Sequence, residues 1–288
     1  PPPPPPFQAE DGIRDSVNGL VGSEMCIRDR YFFRVPVALF FTLLLPIVML
    51  VLFNALFGDN TVTIEGGEWP IRQFYTGGLA AYTAVSATYS NIGNMVPIRR
   101  DEGILKRWRS TPLPTWIYIA GIIGSSVLIA FAGTTLLIAM GYVFYELSIE
   151  WAKMPAAFVT MLVGVSTFAA LGMALVSLIK SASSSAAVVN ATILPLAFIS
   201  DVFVATDPDS TLAKIANLFP LKPFVNAFQD CFNPFVDAPA FAPDKLAFVA
   251  AWGIVGGVIA IKRFSWEPSG AAPRRGRKAR QAAVDATA

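Results

Sequence analysis

Apolar residues fall in long unbroken runs separated by short polar stretches, rather than in the alternating or one-sided patterns of a water-soluble domain. Residues 35–57 read VPVALFFTLLLPIVMLVLFNALF without a charge, a helix of about 34 Å, enough to cross a hydrocarbon core. Pro36 sits in its first turn and Pro46 inside it, where it predicts a kink. A second run, residues 74–96, is softened by Gly77, Gly78, Ser86, Thr88, Asn91, Gly93 and Asn94, which predicts a helix packed against protein rather than lipid. Further runs follow at 116–145, 155–179, 186–204 and 246–261. Pro195 predicts a break or re-entrant bend in the fifth run, and Lys245 and Lys262 can snorkel to extend the sixth. The expected fold is therefore an all-α membrane protein with six transmembrane helices.

Basic residues set the orientation. Arg34, the group Arg99, Arg100, Lys106, Arg107 and Arg109, then Lys180, and the cluster PRRGRKAR of the tail fall on one side. Only Arg72, Lys153, Lys214, Lys222 and Lys245 fall on the other, so both termini are expected in the cytoplasm. The first thirty residues lie outside this pattern. They combine six prolines with a polar stretch, EDGIRDSVNGL through CIRDR, that resembles translated adapter read-through, and they are read as a non-native or disordered leader.

Composition agrees and excludes much chemistry. The chain of 288 residues is 54% hydrophobic and 15% charged, with a formal net charge of +2 that offers no case for a nucleic-acid partner. It has no histidine, which removes Ser-His-Asp hydrolysis and HExxH zinc sites, and its two cysteines, Cys26 and Cys231, make no disulfide framework. No phosphate-binding G-x-x-x-x-G-K-[ST] loop occurs, so ATP is not cradled by that motif in this chain. No cofactor, metal or catalytic residue is expected. Asp201 is the one ionisable candidate near membrane depth, read either as a helix-terminal carboxylate that reaches water or as part of a substrate path.

Between the second and third runs lies IRRDEGILKRWRSTPLP, residues 98–114. Ile104, Leu105 and Trp108 alternate with Lys106, Arg107 and Arg109 at helical spacing, and Thr111-Pro112 would stop such a helix. Pattern alone leaves two readings, a basic helix on the inner headgroup layer or a docking helix for a soluble partner.

The Glu102-Gly103, Leu105, Arg109 and Thr111-Pro112 pattern is similar to the signature of the type-2 ATP-binding-cassette (ABC) membrane family. NATILPLAFISDVFVATD and LAKIANLFPLKPFVNAFQD resemble that family's fifth helix and the re-entrant hairpin before its sixth. The resemblance covers residues 31–264, leaving 265–288 as a basic cytoplasmic tail. It implies a permease subunit that dimerises with a second copy, sits in the cytoplasmic membrane and exports a drug, antibiotic or lipid-like molecule. It also implies two copies of a separate ATP-binding subunit. The coupling loop would comprise Arg99, Arg100, Glu102, Gly103, Leu105, Arg107, Trp108, Arg109, Thr111 and Pro112; Trp108 stands where a leucine is usual. Polar and aromatic residues, Tyr82, Ser86, Tyr89, Asn91, Asn94, Asn190 and Thr192, with Asp201, are candidates for the substrate path, though such residues also serve close helix packing. Residues 205–244 either cap the exit or merely connect two spans. Competing readings are a non-transporting scaffold using the same loop, polysaccharide or polymer export, and, third, ion-coupled carriage.

Overall fold

The computed structural model describes residues 44–58, 60–64, 67–104, 115–179, 181–207 and 209–263. The helices are α1 Leu45–Phe57, α2 Ile71–Val85, α3 Asn91–Asp101, α4 Thr115–Phe144, α5 Met154–Leu178, α6 Ala182–Ile199, α7 Thr211–Ala216, α8 Leu221–Asp230 and α9 Pro243–Arg263. A π-helical turn, Ser86–Ser90, joins α2 to α3 without a break, so the two form one rod. The rods α1, α2–α3, α4, α5, α6 and α9 run alternately between two ends of the bundle. Arg100 at the end of α3 lies against the α5–α6 turn at one, the turn end. The other, the hairpin end, gathers the segments around Lys153, Asp201 and α8.

Among the described residues, four helical stretches are long and apolar enough to cross a membrane: Gly121–Phe144, Trp151–Leu178, Ala182–Ile199 and Pro243–Arg263. The α1 segment Leu45–Phe57 is apolar but shorter, because the expected first span is described only from residue 44. Pro46 accordingly falls in the first turn of the described helix, and the residues it would kink against lie outside it. The rod α2–α3 is buried on almost every face of α2, as its small and polar residues predict. Thr83 and Thr88 satisfy their hydroxyls on the carbonyls of Leu79 and Ala84, one turn back.

The all-α expectation needs one correction. After α1, Thr61–Ile64 (β1) pairs antiparallel with Gly67–Pro70 (β2), Val62 opposite Trp69. β-Branched Thr61, Val62, Thr63 and Ile64 favour extended backbone, and Gly67 supplies a φ of +152° that an L side chain rarely adopts. A Cβ at Gly67 would also meet the Phe235 ring at 2.9 Å, so the hairpin rests on the segment after α8.

Three prolines, Pro195, Pro220 and Pro223, interrupt no helix. Pro195 lies inside an unbroken α6 with its ring on an exposed face, away from the packed core. Pro220 is the N-cap of α8 and Pro223 falls in its first turn, where backbone N–H groups have no intrahelical acceptor in any case.

The core is knit by aromatic rings and missing side chains. Phe224 and Phe228 of α8 are fully buried, and Phe224 meets Phe168 of α5 at 5.6 Å between centroids. That ring occupies the space a Cβ on Gly164 would need. The spacing Gly253-x-x-x-Gly257 in the last apolar run permits close backbone approach. Gly253 does abut Thr167, but its partner on the α5 side is Gly256, against Leu171, while Gly257 has open space around it. Three residues keep both glycines on one helix face as well as four do.

Candidate functional site

At the turn end, α3 stops where the sequence changes from apolar to charged. The Glu102 N–H bonds the Ile98 carbonyl at 2.9 Å and the Gly103 N–H bonds that of Arg100 at 3.1 Å. Gly103 has a φ of +72°, the left-handed conformation that closes a helix and turns the chain away. This gives the Glu102-Gly103 pair a physical reason. Glu102 is exposed and Arg99 half-buried, while Leu105, Arg107, Trp108, Arg109, Thr111 and Pro112 lie outside the described residues.

The last turn of α3 is fixed to the bundle by two consecutive side chains. Arg100, 4% exposed, donates from Nη2 to the Ile179 carbonyl at 2.7 Å, where α5 ends in an extended residue. Asp101 accepts the Ala182 N–H at 2.9 Å, at the first residue of α6. Ser181 caps α6, its hydroxyl oxygen accepting the Ser183 N–H. One turn further along, the Ser185 hydroxyl donates to the Gly93 carbonyl. Of these groups, only Arg100 was among the expected site residues.

The expected path residues divide into separate neighbourhoods. Tyr89 and Thr192 come together, hydroxyl to hydroxyl at 2.8 Å, between the π turn and α6. Tyr82 is buried and packs on Phe203 at 5.4 Å, towards the hairpin end. Ser86 and Asn91 are buried, and Asn94 and Asn190 are half-buried. The side-chain oxygens of Asn91 and Asn94 are buried and have no hydrogen-bond partner among the described residues.

Asp201 departs from the expectation that it reaches water. It is 7% exposed, follows the end of α6 with a φ of +59°, and pairs with Lys222 of α8 at 3.0 Å. Lys222, itself 4% exposed, also donates to the Thr206 hydroxyl oxygen at 2.7 Å, and that hydroxyl and the Thr206 N–H both donate to the Asp201 carboxylate. The Asp201 carbonyl accepts from Gln229 Nε2 at 3.2 Å. A second buried amine, Lys153, donates to the Asn233 carbonyl at 3.0 Å and pairs with Glu150. The sequence places these lysines only by side of the membrane; the local signal of burial is Lys222 between two prolines in an apolar run.

Cys231, at the end of α8, is buried with its Sγ 3.4 Å from the Ala227 carbonyl. Burial, and next the Asp230 carboxylate, push its thiol up to about 12. The thiolate is the reactive form, so maleimide at pH 8 is expected to leave Cys231 unmodified in the folded protein and to modify it after denaturation. Peptide mass mapping of the two samples checks this, and equal labelling of both would contradict it.

A family model described as ABC-2 type transporter matches residues 27–233. No curated protein matches the chain. Together, the apolar helices and this match make the chain a multi-pass membrane protein. It belongs to the ABC-2 type transporter family, whose members are the permease components of ABC transporters, not the ATPase, and typically work with an ATP-binding subunit.

Proposed function

We propose that residues 31–264 form the transport domain of an ATP-driven exporter in the cytoplasmic membrane, for an amphipathic drug, antibiotic or lipid-like molecule. In this reading two copies of the chain enclose the path and two ATP-binding subunits dock on the loop 98–114. Six crossings with cytoplasmic termini are supported by the alternation of α1, α2–α3, α4, α5, α6 and α9 and by the basic residues at the turn end. The observation that carries the reading is the root of the loop, where Arg100 and Asp101 fix α3 to the α5–α6 turn. A force applied to an unanchored loop would be absorbed by the loop; here it reaches two further helices. The outward apolar stripe of α7, Leu212 and Ile215 with Leu218 beyond, supports a position for this segment at the outer interface, capping the exit.

The test is co-purification with the ATP-binding subunit, followed by ATP-dependent uptake of the dye Hoechst 33342 into inverted vesicles. Glu102→Ala and Arg109→Glu are expected to lower both subunit recovery and uptake several-fold. If both variants assemble and transport as the unmodified chain does, the coupling assignment is wrong.

A further inference from the structure

We infer that α6 is the strut that carries movement of the loop to the opposite end of the bundle, with Arg100 and Asp101 as the positioning residues that seat it. The inference rests on the coupling reading of residues 98–114 and adds the route by which movement leaves that loop.

The reason lies first in how charge is matched at the α5–α6 turn. Within a few residues the chain closes one helix and opens the next, so a C-terminal end rich in unpaired carbonyls lies beside an N-terminal end rich in unpaired amides. Arg100 takes the carbonyl of Ile179 and its sequence neighbour Asp101 takes the amide of Ala182. Each charge thus meets the helix end of opposite polarity. The two side chains lie side by side, Arg100 Nε 4.0 Å from Asp101 Oδ1, beyond hydrogen-bond distance.

Beyond the turn, α6 continues to ride on α3. Ser185 bonds the Gly93 carbonyl, and Gly93 lacks the Cβ that would meet Val189 Cγ2 at 2.6 Å. Near mid-helix Thr192 meets the Tyr89 hydroxyl at 2.8 Å, again on the α2–α3 rod, and packing elsewhere is sparse: 22% of the apolar stretch of α6 is buried, against 61% for α5. The far end of α6 is tied again, through the Asp201 carboxylate to Lys222 and through the Asp201 carbonyl to Gln229, both on α8. A rod gripped at its two ends and lightly packed between them moves as one piece when either end is displaced. Rotation or translation of α3's last turn is then delivered to α8, across the full length of α6.

The experiment uses the full chain with its ATP-binding subunit in phosphatidylethanolamine–phosphatidylglycerol liposomes. Nitroxides are placed at Val204, just past α6, and at Phe144, the end of α4, both exposed, in a Cys26→Ser background where buried Cys231 stays unlabelled. Pulsed electron–electron resonance compares the nucleotide-free state with ATP plus vanadate, on complexes matched for bound ATP-binding subunit. The unmodified positions 100 and 101 are expected to give a nucleotide-dependent shift in the Val204–Phe144 distance. Arg100→Gln and Asp101→Ala, which removes the acceptor for the Ala182 N–H, are expected to at least halve it, and Arg100→Lys, which keeps a donor for the Ile179 carbonyl, to restore it. Should Arg100→Gln fail to fold, Asp101→Ala carries the test, since Asp101 lies at the surface. An undiminished shift in Asp101→Ala, or no shift with positions 100 and 101 intact in an assembled, ATP-hydrolysing complex, overturns the strut. Failure of the ATP-binding subunit to associate at all overturns the coupling reading instead.

Discussion

Replacing Lys222 by methionine is expected to destabilise the fold by about 3–5 kcal/mol, the cost of leaving a buried charge without its partner. The amine and the Asp201 carboxylate are both withdrawn from solvent, 3.0 Å apart, and Thr206 bridges them. Methionine fills a similar volume but leaves the carboxylate facing an apolar wall with only the Thr206 donors. Removing the second charge as well should recover most of the loss, because a neutral pair no longer has to be desolvated. Asn is the substitution of choice at position 201, since it tolerates the left-handed backbone there. Thermal unfolding in detergent, followed by tryptophan fluorescence, should therefore rank the unmodified chain and Asp201→Asn/Lys222→Met well above Lys222→Met. A single variant that melts with the unmodified chain would mean that water reaches the pair.

The second large effect is expected from one methyl group. In Gly164→Ala the new Cβ falls within the Phe224 ring, and neither α5 nor α8 can withdraw without disturbing the fully buried Phe224, Phe228 and Phe168 cluster. Overpacking of this kind costs about 1–3 kcal/mol. Combining it with Phe224→Leu removes the overlapping ring atoms, so the double variant should be less destabilised than the sum of the two single changes. Denaturation of all four proteins in one detergent forms the cycle, and strict additivity would show that the ring moves aside without cost.

What the sequence makes legible follows from the range of each signal. Long apolar runs report burial from water directly, so α4, α5 and α9 fall within a few residues of their expected bounds. The small and polar residues of the second run likewise foretell a helix surrounded by protein, as α2 is. Proline gives a weaker signal because its cost depends on where the helix starts and on which face it lies. Pro223 is neutral in a first turn whose start no propensity marks, and Pro195 is tolerated within α6. The site depends on pairings between residues far apart in sequence. Arg100 with Ile179, Asp101 with Ala182 and Asp201 with Lys222 each join segments that no local pattern connects. The loop could be singled out because its residues are contiguous, whereas its anchorage could not.

The π turn at Ser86–Ser90 has a consequence for that anchorage. It inserts one residue beyond what a regular helix would use, and each residue advances the helix by about 100° around its axis. The turn therefore sets the angular phase between the face by which α2 meets α4 and the face by which α3 meets α6. A rod wound regularly throughout would present the same upper face while turning Arg100 and Asp101 roughly a quarter-circle away from the groups they grip. The surplus residue aims the lower half of the rod.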